Sequence, residues 1–469
     1  MKVKLILPSL IESKSAFWRP IKYSLFPPLG LATLASFLNA NDEIDLIDQH
    51  VEKLNLNDNP DLVIIQVYIT NASRAYSIAK HYRERGIYVA LGGLHVSSLP
   101  SEAAKYADTI LIGPGEQIFP KFIHDFRIRK PLKTYTSTSG RTIQNLPLIR
   151  RDLIKREKYL VPNSLVISRG CPHHCHFCYK DDFFKGGKSY YTQRVDNILH
   201  EIESLKGKHL YFLDDHLLGN PQLANSLFDG MTGMNRVFQG AATVSSILEG
   251  NLIEKAAKVG LRSLFVGFET FSPENLQQSN KSQNLKSNYE KAVRRLHDLG
   301  IMINGSFVFG LDNDQKDVFK RTVDWGLNNA ITTATYHILT PYPGTQLYNK
   351  MKINNRITTQ NWNLYDTRHV VYKPNQLTAE ELKTGYNWAY NEFYKWRNIF
   401  YASNQHETLQ HQLKHLFYTG GWKKFERLWN FIINTGGLKK MLPFLELLLS
   451  EVNNINTEQN NDRSIKVSA

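Results

Sequence analysis

The sequence predicts an α/β protein made of two parallel-sheet units in series, a doubly wound sheet followed by an open six-unit (β/α) barrel, with helices after them. Three observations carry this reading. Short apolar runs alternate with helical segments from the first residues to about residue 350. The polar and glycine-bearing turns fall after the strands, where such folds bind ligands. All three cysteines sit in one eleven-residue run, Ser168-Arg169-Gly170-Cys171-Pro172-His173-His174-Cys175-His176-Phe177-Cys178, directly after a predicted strand.

In the first unit the predicted strands are Val3 to Leu7, Ile44 to Ile47, Leu62 to Val67, Tyr88 to Leu91 and Thr109 to Ile112, with helical spacing or composition at Leu29 to Leu38, Ala72 to Arg85 and Ser101 to Tyr106. The turns after them contain Thr70-Asn71, Gly92-Gly93-Leu94-His95 and Gly113-Pro114-Gly115-Glu116. Glycines there let a backbone approach a bulky ligand closely. Asp48-Gln49-His50 follows the second strand, and His50 reads as a surface or capping residue.

Residues 127–160 are basic with few long apolar runs and read as a linker. Barrel strands are then predicted at Leu165 to Ser168, Leu210 to Leu213, Val237 to Ala242, Leu264 to Phe268, Ile303 to Phe309 and Thr335 to Leu339. Helices between them are clearest at Asp196 to Leu205, Ile247 to Val259, Tyr289 to Leu299 and Lys316 to Leu327, and this repeat is what a (β/α) barrel requires. Polar groups from separate strand ends, the cysteine run, Asp214-Asp215-His216, Glu269-Thr270 and Thr340 to Thr345, converge on one rim. His337 lies within the sixth strand and reads equally as a structural or a catalytic histidine. After the barrel, Asp366, Arg368 and His369 form a polar cluster that reads as a substrate-side group or a salt-bridged loop. From Leu382 the chain is aromatic and helical, through Trp388, Trp396, Trp422, Trp429 and the run Met441 to Leu449, and residues 453–469 are polar and expected to be disordered. The expected divisions are therefore 1–126, 127–160, 161–350, 351–452 and 453–469.

Three closely spaced cysteines in 469 residues form no disulfide framework and suit a reducing, cytoplasmic setting. The start, Met1 to Pro8, is too short for a signal peptide and reads as a strand, and no apolar run reaches membrane-span length. The formal charge of +14 is scattered without a run of five basic residues, so it points to a generic basic surface, and nucleic acid is not the expected partner.

Three thiolates at CxxxCxxC spacing can hold three corners of a four-iron cluster and leave one iron open. The competing reading is structural zinc with His173, His174 or His176 as fourth ligand, and Asp214-Asp215-His216 could hold a hard metal ion. The cysteine run in this setting resembles the radical S-adenosylmethionine (SAM) superfamily. Residues 1–125, through Pro27-Pro28-Leu29-Gly30-Leu31-Ala32 and the turns above, look like the cobalamin-binding domain that precedes many of its barrels.

The resemblance implies a Rossmann-like cobalamin domain, a partial (β/α)6 barrel of the TIM type, and three cofactors: a [4Fe-4S] cluster, SAM and cobalamin. It assigns Cys171, Cys175 and Cys178 to the cluster. Phe177, Asp214, Asp215, Glu269, Gly305 and Ser306 go to SAM, and Thr70, Asn71, Gly92, Gly93, Gly113, Gly115 and Glu116 to cobalamin. No residue is assigned to catalysis itself. Two departures stand out: after the first strand the chain has Pro8-Ser9-Leu10 and no cobalt-binding histidine, and Gln66 stands where such domains often have serine.

The implied activity is a cobalamin-dependent radical SAM methyltransferase, in which a 5′-deoxyadenosyl radical opens an unactivated centre of a small or lipid-like substrate. An electron-transfer protein is the implied reductant, and peripheral membrane contact through the C-terminal helices is compatible with it. Oxidation, cyclisation or rearrangement without methyl transfer is the alternative within the class, and a non-catalytic cobalamin or redox sensor is the alternative outside it. RNA methylthiotransferases carry further cluster cysteines in the N-terminal domain, and residues 1–170 here contain none.

Overall fold

The computed structural model describes residues 1–10, 25–138, 140–285 and 287–421. The aromatic segments expected beyond residue 421 and the tail from 453 lie outside the described residues.

The first sheet is six-stranded and wholly parallel, in the order β2-β1-β3-β4-β5-β6, with β1 Lys2–Leu7, β2 Glu43–Asp48, β3 Leu62–Gln66, β4 Tyr88–Gly92, β5 Thr109–Ile112 and β6 Thr134–Thr136. Both faces are covered. On β3, Leu62 and Ile64 enter the core under helices Leu29–Ala35 and Gly115–Arg127, while Val63 and Ile65 enter the core under helix Ala72–Glu84. That split is the period-two alternation of a strand buried on both sides. Strand β6 arises inside the segment expected to be a linker. It pairs parallel with β5 and buries only Tyr135, so three residues with one inward side chain left no periodic signal.

His50 also differs from expectation. It is buried, and its Nδ1 lies 2.7 Å from Asp48 Oδ1, whose other oxygen accepts the Tyr159 hydroxyl at 3.0 Å. The sequence puts Asp48 at a strand end; the fold carries Tyr159 back onto it, which encloses the neighbouring ring.

The second sheet runs β14-β13-β12-β11-β10-β7, all parallel: β7 Ser164–Leu165, β10 His209–Phe212, β11 Val237–Thr243, β12 Leu261–Glu269, β13 Met302–Phe309 and β14 Thr333–Ile338. The first barrel strand is shorter than expected, because Ser168 leaves the sheet and starts β8 (Ser168–Gly170), antiparallel to β9 (Tyr190–Thr192). This ribbon brackets the cysteine loop. An aromatic layer of Phe268, Phe271, Phe307, Trp325 and Tyr336 separates the barrel strands from their helices.

An open barrel leaves two edges to cover. At β14, helix Ala379–Phe393, started by a Thr378/Glu381 capping box, covers the edge with tyrosines. Tyr394 OH accepts from Ala334 N at 3.0 Å and donates to its carbonyl at 2.8 Å, and Tyr390 OH does the same at Tyr336. Helices Trp396–Ser403 and Leu409–Thr419 follow, so the region after the barrel is helical from residue 379, whereas 354–378 is mostly irregular. At the other edge the barrel meets the first domain: Val166 and Leu213 pack into the same core as Leu29 and Phe119.

Candidate active site between the two sheets

The cysteine loop is held from three sides. His176 N donates to Ser279 O, Leu347 N donates to His176 O, and Asn280 Nδ2 donates to His174 O at 2.7 Å. Gln283 Nε2 approaches Cys175 Sγ at 3.7 Å. The residues after β12 thus form a clamp over the loop. Burial pushes the Cys178 thiol up to about 12 and raises Cys171 and Cys175 from their ordinary value. Thiols placed like this ionise by binding a metal rather than by titration into water, and three from one loop are the donor set of an iron-sulfur cluster with an open corner. The neighbouring histidines are engaged elsewhere: His174 with Asp181 at 3.0 Å, His176 with Gln278 O at 3.0 Å, and His173 stacked on His216.

The two adjacent aspartates part company. Asp214 is buried and accepts from Ile167 N at 3.2 Å and from Ser168 N and Oγ at 2.6 and 2.5 Å. It shapes the turn from β7 into β8, and both of its oxygens are engaged there. Burial raises its carboxyl to about 6. Asp215 faces the loop instead: Tyr179 OH donates to it at 3.3 Å, and its charge raises the thiols of Cys171 and Cys178.

Glu269 ends β12 with φ +65° and forms an ion pair with Lys281, whose charge reaches Cys175 and His173. Glu269 therefore stands near the loop with a cationic partner that the sequence did not reveal. Phe177 packs partly buried against the barrel core. Ser306 alternates with Phe307 on β13 and so faces the barrel interior. Gly305 faces the other way, where a Cβ would come within 2.9 Å of the Phe307 ring, so its missing side chain serves the aromatic layer.

Between the carboxyl edge of the first sheet and the barrel lies a cavity of about 1070 Å³. Gly92, Gly93, Gly113, Gly115 and Glu116 line it from the first domain, and Arg169, Tyr179 and Phe183 line it from the cluster-loop side. Its size is slightly above the usual range of about 300–1,000 Å³ for ligand pockets, room enough for a corrin. Gly93, at φ +111°, is required by the fold itself, because a Cβ there would meet Val67 O at 2.8 Å. Thr70 and Asn71 are not on the cavity wall. Asn71 is buried and joins two strand ends, donating to Pro8 O at 3.1 Å and accepting from Tyr68 N at 2.8 Å. Tyr68 and Gln66, bonded to each other at 2.9 Å, line the cavity instead.

Glu116 accepts from Arg169 Nε at 2.8 Å, joining the first domain to the strand that leads into Cys171. Burial pushes the Glu116 carboxyl up, and Arg169 with a backbone hydrogen bond outweighs it, so the group is held below its ordinary value. Buried Arg141 adds a second strap, donating to Ser137 O at 2.7 Å and Lys185 O at 2.9 Å. Arg169 and Tyr179 flank the cysteine run and were visible by adjacency; Lys281, Gln283 and Arg141 carried no signal in the sequence.

Two parallel α/β units, one presenting a three-thiolate loop and the other a corrin-sized cleft, define a radical enzyme with a cobalamin domain. Residues 165–326 match the Radical SAM superfamily and residues 23–123 match the B12 binding domain, so the chain carries both a radical SAM domain and a B12-binding domain. It is 28% identical over 78% of its length to bacteriochlorophyllide d C-12(1)-methyltransferase of Chlorobaculum tepidum, covering 82% of that protein. It is 25% identical over 86% of its length to the hopanoid C-3 methylase of Methylococcus capsulatus, covering 81% of it. In fold it is similar to the cobalamin-dependent SAM radical enzyme OxsB with aqua-cobalamin bound, at TM-score 0.65 and 16% identity, over 99% of this chain and 81% of that one.

Proposed function

We propose that this chain is a cobalamin-dependent radical SAM methyltransferase acting on an unactivated carbon of a small, apolar molecule. The observation that carries the reading is the shared wall: the cavity bounded by the glycine turns of the first sheet is bounded on its other side by Arg169 and Tyr179, which flank Cys171 and Cys178. When bound, the cluster with SAM supplies hydrogen abstraction from an unreactive C–H bond, and cobalamin supplies a methyl group. The protein's part is positional. Cys171, Cys175 and Cys178 would hold the cluster, with Gln283 donating toward one of the sulfurs. Asp215 and Glu269, two carboxylates near the loop, suit the ammonium of SAM, and Ser306 lies on the interior face of the neighbouring strand. Gly92, Gly93, Gly113 and Gly115 would carry the corrin on backbone, and the Glu116–Arg169 pair keeps that floor in register with the cluster loop.

The relatives named for bacteriochlorophyllide and hopanoid methylation support a hydrophobic substrate. The exposed side chains of Trp396, Phe400, Leu413 and Phe417 support contact with a lipid surface, read by co-sedimentation with anionic vesicles. A low-potential electron-transfer protein is the expected reductant, and the cytoplasm the expected setting. No helix among the described residues is long and apolar enough to cross a membrane.

The test is anaerobic reconstitution with iron, sulfide and hydroxocobalamin, desalting, a metal count and a SAM-cleavage assay. About four irons and one cobalt per chain, with both deoxyadenosine and S-adenosylhomocysteine formed, support the proposal. Iron without cobalt overturns the cobalamin assignment, and deoxyadenosine without S-adenosylhomocysteine moves the reading to oxidation, cyclisation or rearrangement.

A further inference from the structure

Outside the barrel strands, a second cavity of about 20 Å³ is lined by His297, His406, His411 and His415 together with Gly300 and Lys414. That is room for one ion, since a single water-sized probe fills about 10–15 Å³. His297 comes from the barrel helix Tyr289–Asp298, His411 and His415 from helix Leu409–Thr419, and His406 from the turn before that helix. His411 and His415 are four apart and therefore share a helix face.

The rings gather around His406. Their centroids lie 4.7 Å from it for His297, 5.2 Å for His415 and 6.1 Å for His411. His406 Nε2 and His415 Nδ1 are 3.1 Å apart. Two nitrogens on one tetrahedral zinc, each about 2.0–2.1 Å from the metal, stand about 3.3–3.4 Å apart, so this pair is within a few tenths of an ångström of the spacing a shared ion requires.

His297 supplies the independent sign. It hydrogen-bonds the backbone of Ala330, and its Nε2 is buried with no hydrogen-bond partner among the described residues. A histidine oriented by a backbone carbonyl on one nitrogen, with the other nitrogen free in a cavity, has the arrangement of a metal ligand. His411 Nε2 points toward Gly300, 3.7 Å from where a Cβ would stand.

We propose that His297, His406, His411 and His415 form a transition-metal site, taking one zinc or nickel ion, which ties helix Leu409–Thr419 to the barrel. Among the described residues no group of three His, Cys, Asp or Glu is drawn in closely enough to hold an ion, the three loop cysteines included, so the proposed site requires the imidazoles to turn inward. Imidazole donors select zinc, nickel or copper over magnesium and calcium. Lys414 lines the same cavity, and its Nζ donates to Gly300 O at 3.0 Å; its charge opposes a divalent ion and limits the affinity. The site is independent of the cobalamin reading.

The test uses the full chain with its cluster reconstituted, so that the cysteines are occupied, passed over chelating resin and titrated with zinc chloride. The expected result is one retained zinc per chain, an X-ray absorption spectrum with an all-nitrogen shell showing imidazole scattering, and binding at least about tenfold weaker in His297→Gln and His411→Gln. No retained zinc, equal retention in both variants, or sulfur in the shell overturns the proposal. If neither variant folds, the wild-type spectrum decides alone.

Discussion

Replacing Asp214 with asparagine separates the two roles that its neighbourhood allows. Its oxygens accept from Ile167 N, Ser168 N and Ser168 Oγ, all buried. Whichever way an asparagine amide turns, its N–H₂ meets one of those backbone N–H groups, leaving a buried donor unsatisfied at a cost of about 1–3 kcal/mol. The surviving bonds also lose their charge assistance and about half their strength. Relief of the buried charge offsets part of this, since burial already raises the Asp214 carboxyl to about 6. The expected outcome is a loss of about 1–3 kcal/mol in urea denaturation, with less iron retained on reconstitution because the strand leading to Cys171 is no longer anchored. SAM affinity, measured on the fraction that carries iron, stays within about threefold. Asp215→Asn should behave in the opposite sense, with stability kept and SAM binding weakened. If Asp214→Asn leaves stability and iron content unchanged while SAM affinity falls by about tenfold (about 1.4 kcal/mol), the carboxylate meets SAM and the structural role is wrong.

Arg169→Met strands the Glu116 carboxylate and should cost about 3 kcal/mol, the low end for breaking a buried pair, because the guanidinium side chain keeps 20% of its surface exposed. The Arg169→Met/Glu116→Gln double variant should recover part of that in a denaturation cycle; strict additivity would show the pair is uncoupled. Tyr394→Phe removes both partners of Ala334 at the β14 edge and should cost about 1–3 kcal/mol, seen as faster amide hydrogen exchange at Ala334; unchanged exchange would mean that water replaces the hydroxyl without loss. Asp314, which accepts from Gly310 N, Leu311 N and Asn275 Nδ2, is raised by burial from 3.8 to about 6. A folded value above the unfolded one gives stability that is present below pH 3.8 and lost as pH rises through about 6. Thermal melts of wild type minus Asp314→Asn should therefore fall across that window and be flat above it, and a difference that rises would reverse the assignment.

Much of this protein is written locally. Strand β3 alternates between two cores because Leu62, Val63, Ile64 and Ile65 are all apolar, so a parallel strand buried on both faces was legible from four consecutive residues. The cysteine spacing and its place after a strand carried the cluster chemistry in the same way, since three thiolates on one short loop need no distant partner to be recognised. Strand β6 escaped because three residues with one buried side chain give no period.

What the sequence by itself determined was therefore the order of strands and helices, the two-unit architecture and the thiolate loop, each a matter of near-neighbour spacing. Only the tertiary structure decided which of two adjacent aspartates faces the cysteines. Successive residues at a strand end point to opposite sides, and the turn at Ser168 captured Asp214 while Tyr179 met Asp215. The same holds for Lys281 on Glu269, the tyrosines on β14, and His297 gathered with histidines more than a hundred residues later. Those contacts follow from packing that closes long loops, and no local pattern along the chain records which surfaces will meet.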